Sequence, residues 1–181
     1  MSPAELRQHV PNTLTIARFA AIPVFAWLYL DAGDGAAWGA GIFFAAAALT
    51  DQVDGYLARR WHVESPFGKV ADPLADRLMI GTAVVLMWAT GRMPLLAAVV
   101  ILSRDVALVV GYKLVAPSGY RLEVTFLGKL ATWVLYAALG FMLVTAEGTR
   151  WPLVILWIGI ALALGAAAQY VLRARRVLDE A

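Results

Sequence analysis

The chain has 181 residues, of which 61% are apolar and only 15% charged, and its formal net charge is +2. Soluble domains average about 45–50% apolar and about 25% charged residues, so this composition excludes a typical water-soluble globule and a disordered chain and indicates an integral membrane protein. The absence of cysteine excludes disulfides, thiolate metal sites and a cysteine nucleophile, and the small net charge argues against nucleic acid as a partner.

The apolar segments predict an all-α polytopic membrane protein with six transmembrane helices and an amphipathic N-terminal lead over residues 1–13. A bilayer core about 30 Å thick requires about 20 apolar residues per helix, and only a helix satisfies its own backbone hydrogen bonds over such a distance in lipid. We expect one membrane domain over residues 1–181. The predicted spans are, in chain order, 14–30, 36–57, 73–90, 94–116, 124–146 and 151–172.

Lys and Arg residues are distributed unevenly between the two ends of these spans. Six spans bring both termini to one side of the membrane, and thirteen of the fifteen basic residues fall on that side. The opposite side has only Arg92 and Arg150. Because basic residues concentrate in cytoplasmic loops, we expect both termini in the cytoplasm.

Four aspartates lie at the predicted cytoplasmic ends of spans two and three. Asp51 and Asp54 are three residues apart, and Asp72 and Asp76 are four apart, so each pair shares one helix face. Each carboxylate at membrane depth costs about 2.5–3.5 kcal/mol, which requires compensation. The short connection over 59–71 predicts antiparallel neighbouring helices, so all four carboxylates can converge on a cavity open to the cytoplasm.

A carboxylate cluster without His or Cys suits hard cations such as Mg²⁺ or Mn²⁺, and two such divalent cations would neutralise four carboxylates, as in sites for phosphoryl chemistry. Gly55 and Ala58 continue the face begun by the first aspartate pair and leave a shallow groove for a ligand. Arg59 and Lys69 can offset the charge of a pyrophosphate. Gly68 is expected in a loop, where it permits a tight turn close to the ligand.

Other interpretations of these residues stay open at this point. The aspartates could form ion pairs with neighbouring arginines, and the two small residues could serve helix packing alone. The carboxylates could also form the transit site of a divalent-cation transporter. A transit site requires polar residues that continue across the membrane, whereas segments 42–44 and 84–86 are wholly apolar, which favours an enzyme.

The segment 51–76 reads Asp-x2-Asp-Gly-x2-Ala-Arg-x8-Gly-x3-Asp-x3-Asp, and it resembles the signature of the CDP-alcohol phosphotransferase family at every fixed position. The Pro-Asn-Thr-Leu-Thr-x2-Arg stretch at 11–18 and the six-span plan are also similar to bacterial members of this family. The resemblance implies a homodimer whose cytoplasmic active site transfers a phosphatidyl group from CDP-diacylglycerol to an alcohol and releases CMP.

The resemblance also implies a role for each signature residue. Asp51, Asp54 and Asp72 would be metal ligands, and Asp76 would complete the second metal site and act as the general base. The nucleotide-binding set would consist of Gly55, Ala58, Arg59 and Gly68, with Lys69 beside them.

The acceptor alcohol is expected to be glycerol 3-phosphate, because segment 51–76 is similar to the family members that make phosphatidylglycerophosphate. The alternative acceptor is phosphatidylglycerol, since Ser103-Arg104-Asp105 is closer to the family members that make cardiolipin. Arg104 and Lys129 are candidates for binding the acceptor phosphate. Arg104 could instead only pair with an acidic neighbour, and Lys129 could be an interfacial anchor.

Overall fold

The computed structural model describes residues 17, 19–33, 35–61, 66–115 and 125–179. Within these helices, the side chains at 51–61, 66–73, 108–109, 111–115 and 171–179 lie outside the description, as does the predicted lead at 1–13. All regular structure in the described residues is helical, which confirms the predicted all-α class. The helices are α1 (Phe19–Asp31), α2 (Trp38–Trp61), α3 (Pro66–Ala89), α4 (Leu95–Val115), α5 (Phe126–Val144) and α6 (Trp151–Asp179).

Two helical segments in the described part of the chain are long and apolar enough to cross a membrane. They are Phe126–Val144, with a mean hydropathy of 1.7, and Trp151–Tyr170, with 2.1. Phe19–Asp31 and Trp38–Thr50 are shorter apolar helical segments. All six helices carry exposed large apolar side chains, which suits contact with lipid better than contact with water. The count of six spans stays a prediction.

Local sequence signals explain how α3 ends and α4 begins. The backbone N–H of Gly91 donates to the carbonyl of Trp88 at 3.0 Å, and that of Arg92 donates to the carbonyl of Met87 at 2.9 Å. This is the Schellman arrangement, in which the residue after the cap is left-handed, and Gly91 has a φ of 77°. Pro94 follows and cannot continue α3, so the chain turns into α4.

The junction of α2 and α3 differs from the prediction. The predicted connection covered 59–71, but α2 continues to Trp61 and α3 begins at Pro66, so only residues 62–65 separate the helices. The expectation that Gly68 lies in a loop is therefore wrong, since Gly68 is in the first turn of α3. Glycine and charged residues suggested a loop, whereas proline at the first helical position was the stronger signal.

The chain groups into two compact units, and the first contains residues 1–86 and 143–147. Its described core includes Phe25 and Phe44, whose ring centroids are 5.7 Å apart. The N–H of Ala37 donates to the carbonyl of Leu143 at 2.7 Å. A side chain at Gly41 would collide with Val144, so glycine allows the start of α2 to lie against the end of α5.

The second unit contains residues 87–142 and 148–181. In it α5 and α6 are antiparallel neighbours, because Gly128 lies near Ala166 while Leu135 lies near Gly159. Small residues at these contacts let the helices come close, as is common in membrane helix pairs. Gly128, Gly159 and Ala166 are at the contacts, and the buried Ala131, Ala138 and Ala163 follow them at steps of three and four residues.

Candidate active site

The signature positions on α2 are in helical register with the buried face of the preceding residues of this helix. Ala40 and Phe44 are buried, and the half-buried Ala47 and Ala48 follow at the next turn. Steps of three and four residues lead from these positions to Asp51, because such steps stay on one face of a helix. Since the backbone is helical through Trp61, the same face continues through the remaining signature positions of this helix, which are Asp54, Gly55 and Ala58.

The second carboxylate pair lies on α3. Asp72 and Asp76 are both within its helical backbone, so their four-residue spacing does place them one turn apart on one face. Ala75, Met79 and Ala83 mark the buried face of this helix. Asp76 is at the edge of that face, and its side chain is half-buried.

The donor set fits hard divalent cations by its chemistry, since four carboxylates at helical spacing can converge without any nitrogen or sulfur ligand. Among the side chains that the structure describes, no group of three or more His, Asp or Glu residues could hold a metal. Asp76 is the one signature aspartate within that set. The side chains of Asp51, Asp54 and Asp72 lie outside it.

The residues predicted to bind the nucleotide all belong to helical backbone around the α2–α3 junction. Gly55, Ala58 and Arg59 lie in the last third of α2, and Gly68 and Lys69 lie in the first turn and a half of α3. Their side chains lie outside the described residues. The helical backbone therefore brings the predicted nucleotide set to the same pair of helix ends as the carboxylates.

Arg104 is near the middle of α4 and forms an ion pair with the next residue. Its Nη1 lies 2.9 Å from Oδ1 of Asp105, and the two side chains are only 15% and 14% exposed. The Nε of Arg104 is buried and has no hydrogen-bond partner among the described residues. The alternative interpretation of Arg104, pairing with an acidic neighbour, is thus observed, and it leaves a buried donor of the guanidinium unused.

Lys129 lies in the first turn of α5, where its side chain is exposed. This turn is capped by Thr125, whose Oγ1 accepts the N–H of Gly128 at 3.1 Å. The N–H of Thr125 itself donates to the hydroxyl of Tyr170 on α6 at 3.1 Å. A Cβ at Gly128 would lie 3.4 Å from that hydroxyl, so glycine permits the close approach.

Sequence reasoning missed this connection between Thr125 and Tyr170. A threonine directly before an apolar helical segment is a recognisable N-cap signal. The fifth span was predicted to begin at residue 124, and Thr125 was not identified as its cap. The partner on α6 is 45 residues away along the chain, and no local spacing points to it.

Comparison with known proteins identifies the class. Residues 8–165 match the family model described as CDP-alcohol phosphatidyltransferase. The match covers most of the chain and includes the whole segment 51–76, so the chain belongs to the CDP-alcohol phosphatidyltransferase family. It is therefore an enzyme, which overrides the transporter alternative, and its family is membrane-associated.

Individual relatives narrow the class further. The chain is 36% identical over 148 residues to the CDP-diacylglycerol–glycerol-3-phosphate 3-phosphatidyltransferase of Bacillus subtilis, covering 75% of this chain and 76% of that protein. It is 29% identical over 170 residues to the Escherichia coli K12 protein of the same name, covering 80% and 91%. It is also 38% identical over 147 residues to the cardiolipin synthase (CMP-forming) of Streptomyces coelicolor, covering 78% and 67%.

Proposed function

We propose that this enzyme transfers a phosphatidyl group from CDP-diacylglycerol to glycerol 3-phosphate and releases CMP. The observation that carries the proposal is the position of the aspartates along the two helices. Asp51 lies ten residues before the end of α2, and Asp76 lies ten residues after the start of α3. At a rise of about 1.5 Å per residue, both lie about 15 Å from the α2–α3 junction.

The other two aspartates also lie at similar distances from the α2–α3 junction. Asp54 lies seven residues before the end of α2 and Asp72 six residues after the start of α3, which corresponds to about 9–10 Å from the junction. A connection of four residues favours an antiparallel helix pair. In such a pair the four aspartates lie at two levels, with one aspartate from each helix at each level, which supports a site for two divalent cations, Mg²⁺ or Mn²⁺.

The chemistry assigns a task to each residue. Asp51, Asp54, Asp72 and Asp76 would hold the cations, which when bound supply positive charge against the charge on the pyrophosphate oxygens. Asp76 also accepts the proton of the acceptor hydroxyl while the oxygen of that hydroxyl forms a bond to the phosphorus next to diacylglycerol. The bond from that phosphorus to the bridging pyrophosphate oxygen breaks, and CMP leaves with that oxygen.

The nucleotide side of the substrate is assigned to the helix ends. Gly55 and Ala58 carry no long side chain, so we assign them to a flat group such as the cytosine or ribose, which would lie against the backbone of α2. Gly68 is assigned in the same way at the start of α3. Arg59 and Lys69 offset the pyrophosphate charge that remains.

Glycerol 3-phosphate is the proposed acceptor because two of the relatives described above carry it in their names. Its phosphate is close to dianionic at neutral pH and requires cationic groups outside the nucleotide set. We assign this role to Arg104 and Lys129. Arg104 is a cation near the middle of α4 whose side chain stays 15% exposed, and the exposed Lys129 is held on a capped helix start.

Phosphatidylglycerol is the second candidate acceptor, and one observation favours it. The ion pair between Arg104 and Asp105 offsets the charge of the arginine, which suits a phosphodiester of charge −1 better than a dianion. The cardiolipin synthase named above is consistent with this candidate.

The proposed setting is one membrane domain of six spanning helices, with the active site and both termini on the cytoplasmic side. Thirteen of the fifteen basic residues on one side support this orientation. The acyl chains of CDP-diacylglycerol would then remain in the bilayer, and the water-soluble acceptor would enter from the cytoplasm. A homodimer is part of the proposal and follows from the family resemblance.

The test is an acceptor screen with purified protein in detergent micelles containing CDP-diacylglycerol and Mg²⁺ or Mn²⁺. Glycerol 3-phosphate, phosphatidylglycerol, serine and inositol phosphate are offered separately, and CMP release and the lipid product are measured. We expect CMP and phosphatidylglycerophosphate with glycerol 3-phosphate. Asp76→Asn should abolish both products, whereas Asp31→Asn, at an exposed aspartate at the end of α1, should not.

Two results would contradict the proposal in different ways. Lipid product from phosphatidylglycerol and none from glycerol 3-phosphate would establish the second candidate. CMP release with serine or inositol phosphate alone would exclude both glycerol-based acceptors.

A further inference from the structure

The ion pair on α4 has an unusual geometry for neighbouring residues. Side chains at adjacent helical positions point about 100° apart and do not normally face each other. Nevertheless Nη1 of Arg104 lies 2.9 Å from Oδ1 of Asp105, and both side chains are largely buried. Burial explains the contact, because in a poorly solvated setting an uncompensated guanidinium costs far more than the bending of two side chains.

The ion pair with Asp105 is made by Nη1 of the Arg104 guanidinium. Arginine has five N–H donors, and Nε is buried here without an acceptor among the described residues. Protein atoms enclose Nε, so a phosphate can approach Arg104 only at the 15% of its side chain that stays exposed. Arg104 can therefore keep Asp105 on Nη1 while the exposed part of its side chain binds a phosphate.

We propose that Asp105 determines how strongly the acceptor site favours a dianionic over a monoanionic phosphate. This inference rests on the proposed function, in which Arg104 binds the acceptor phosphate. A carboxylate beside Arg104 repels the second negative charge of a phosphomonoester such as glycerol 3-phosphate. A phosphodiester such as phosphatidylglycerol has no second charge and is not penalised in this way.

The expected size of the effect follows from the electrostatics of a partly buried site. Two unit charges about 10 Å apart interact strongly enough, at an effective dielectric constant of about 20, to change an equilibrium constant by about tenfold. Removal of the Asp105 charge should therefore raise the preference for the dianionic acceptor by about tenfold or more.

The experiment follows CMP release in the same micelles and the same preparation, and it measures the KM of the acceptor that the enzyme uses and the inhibition constant of the other one. The constant for phosphatidylglycerol divided by the constant for glycerol 3-phosphate is the ratio that reports the preference for the dianion. We expect Asp105→Asn to raise this ratio about tenfold or more. Asp105→Glu, which keeps the charge, should leave the ratio close to wild type. Ser103→Ala is the matched control. Ser103 is exposed on α4, and its hydroxyl donates a hydrogen bond to the carbonyl of Val100 in the same helix.

The ratio remains informative when a variant is less stable. Asp105→Asn removes the charged partner of Arg104 and is expected to destabilise the protein, but a misfolded fraction lowers only the maximal rate and changes neither the KM nor the inhibition constant. A ratio for Asp105→Asn within twofold of wild type would overturn the inference and leave the proposed function intact. A wild-type enzyme that uses neither phosphate acceptor would instead overturn the proposed function.

Discussion

Gly159 of α6 lies too close to α5 for an added Cβ to fit without movement of its neighbours. A Cβ at this position would lie 2.9 Å from Cδ2 and 3.0 Å from Cγ of Leu135, and 3.2 Å from its backbone nitrogen. The leucine side chain could rotate, but its backbone nitrogen can move only if α5 itself moves. Gly159→Ala therefore forces the α5–α6 pair apart at a point where Leu135 is buried.

The expected magnitude combines two opposing effects. Overpacking of a close contact costs about 1–3 kcal/mol. Replacing glycine by alanine within a helix returns about 0.5–1 kcal/mol. From the middle of the two ranges we expect Gly159→Ala to lower the free energy of unfolding by about 1 kcal/mol, which for a chain of this size corresponds to a Tm lower by about 2–4 °C.

Gly140 of α5 provides the matched control. It is also inside a helix, but a Cβ there would meet no described atom within 4 Å. Gly140→Ala should retain only the helix-propensity gain and raise the Tm by about 1–4 °C. The two alanine substitutions thus change stability in opposite directions.

Thermal unfolding in detergent, followed by the fluorescence of the seven tryptophans, measures both variants against wild type. Gly159→Ala unfolding at or above the wild-type temperature would refute the close α5–α6 contact. A loss of stability in Gly140→Ala equal to that in Gly159→Ala would show that glycine is required for a reason other than the contact with Leu135.

Four further predictions concern the site and the topology. Asp72→Asn should abolish CMP release while its melting curve in detergent stays cooperative, because the amide keeps the shape of the ligand but not its charge; near-normal turnover at moderate metal concentration would contradict the two-cation site. Arg104→Ala should raise the KM for glycerol 3-phosphate about 10- to 200-fold, the loss of about 1.5–3 kcal/mol from a charge-assisted hydrogen bond, and leave the KM for CDP-diacylglycerol nearly unchanged in steady-state kinetics with each substrate varied in turn. Tyr170→Phe should destabilise the protein by about 1–3 kcal/mol in the same thermal assay, because the part-buried N–H of Thr125 loses its acceptor; an unchanged Tm would argue against that bond. A C-terminal fusion to a reporter active only in the cytoplasm should be active, and an inactive reporter on a stably inserted protein would reverse the proposed topology.

Much of the local structure could be predicted from the sequence. Each predicted span overlaps a helix of the described residues, because long apolar segments and their flanking Gly and Pro residues act locally. The aspartate pairs at 51–54 and 72–76 share helix faces because spacing along a helix is set by the chain itself. The loop predicted around Gly68 was wrong, since a glycine inside a helix is tolerated when neighbouring residues favour the helix.

What the sequence by itself determined is therefore the helical class, the spacing of the carboxylates and membership of a family of phosphatidyltransferases. Only the tertiary structure decided which residues meet across helices. Thr125 and Tyr170 are 45 residues apart, and Gly159 is required by Leu135 on another helix, so no spacing along one helix reveals either contact. The pairing of Arg104 with Asp105 was also decided by tertiary structure: adjacent helical residues normally diverge, and burial of both side chains holds them together.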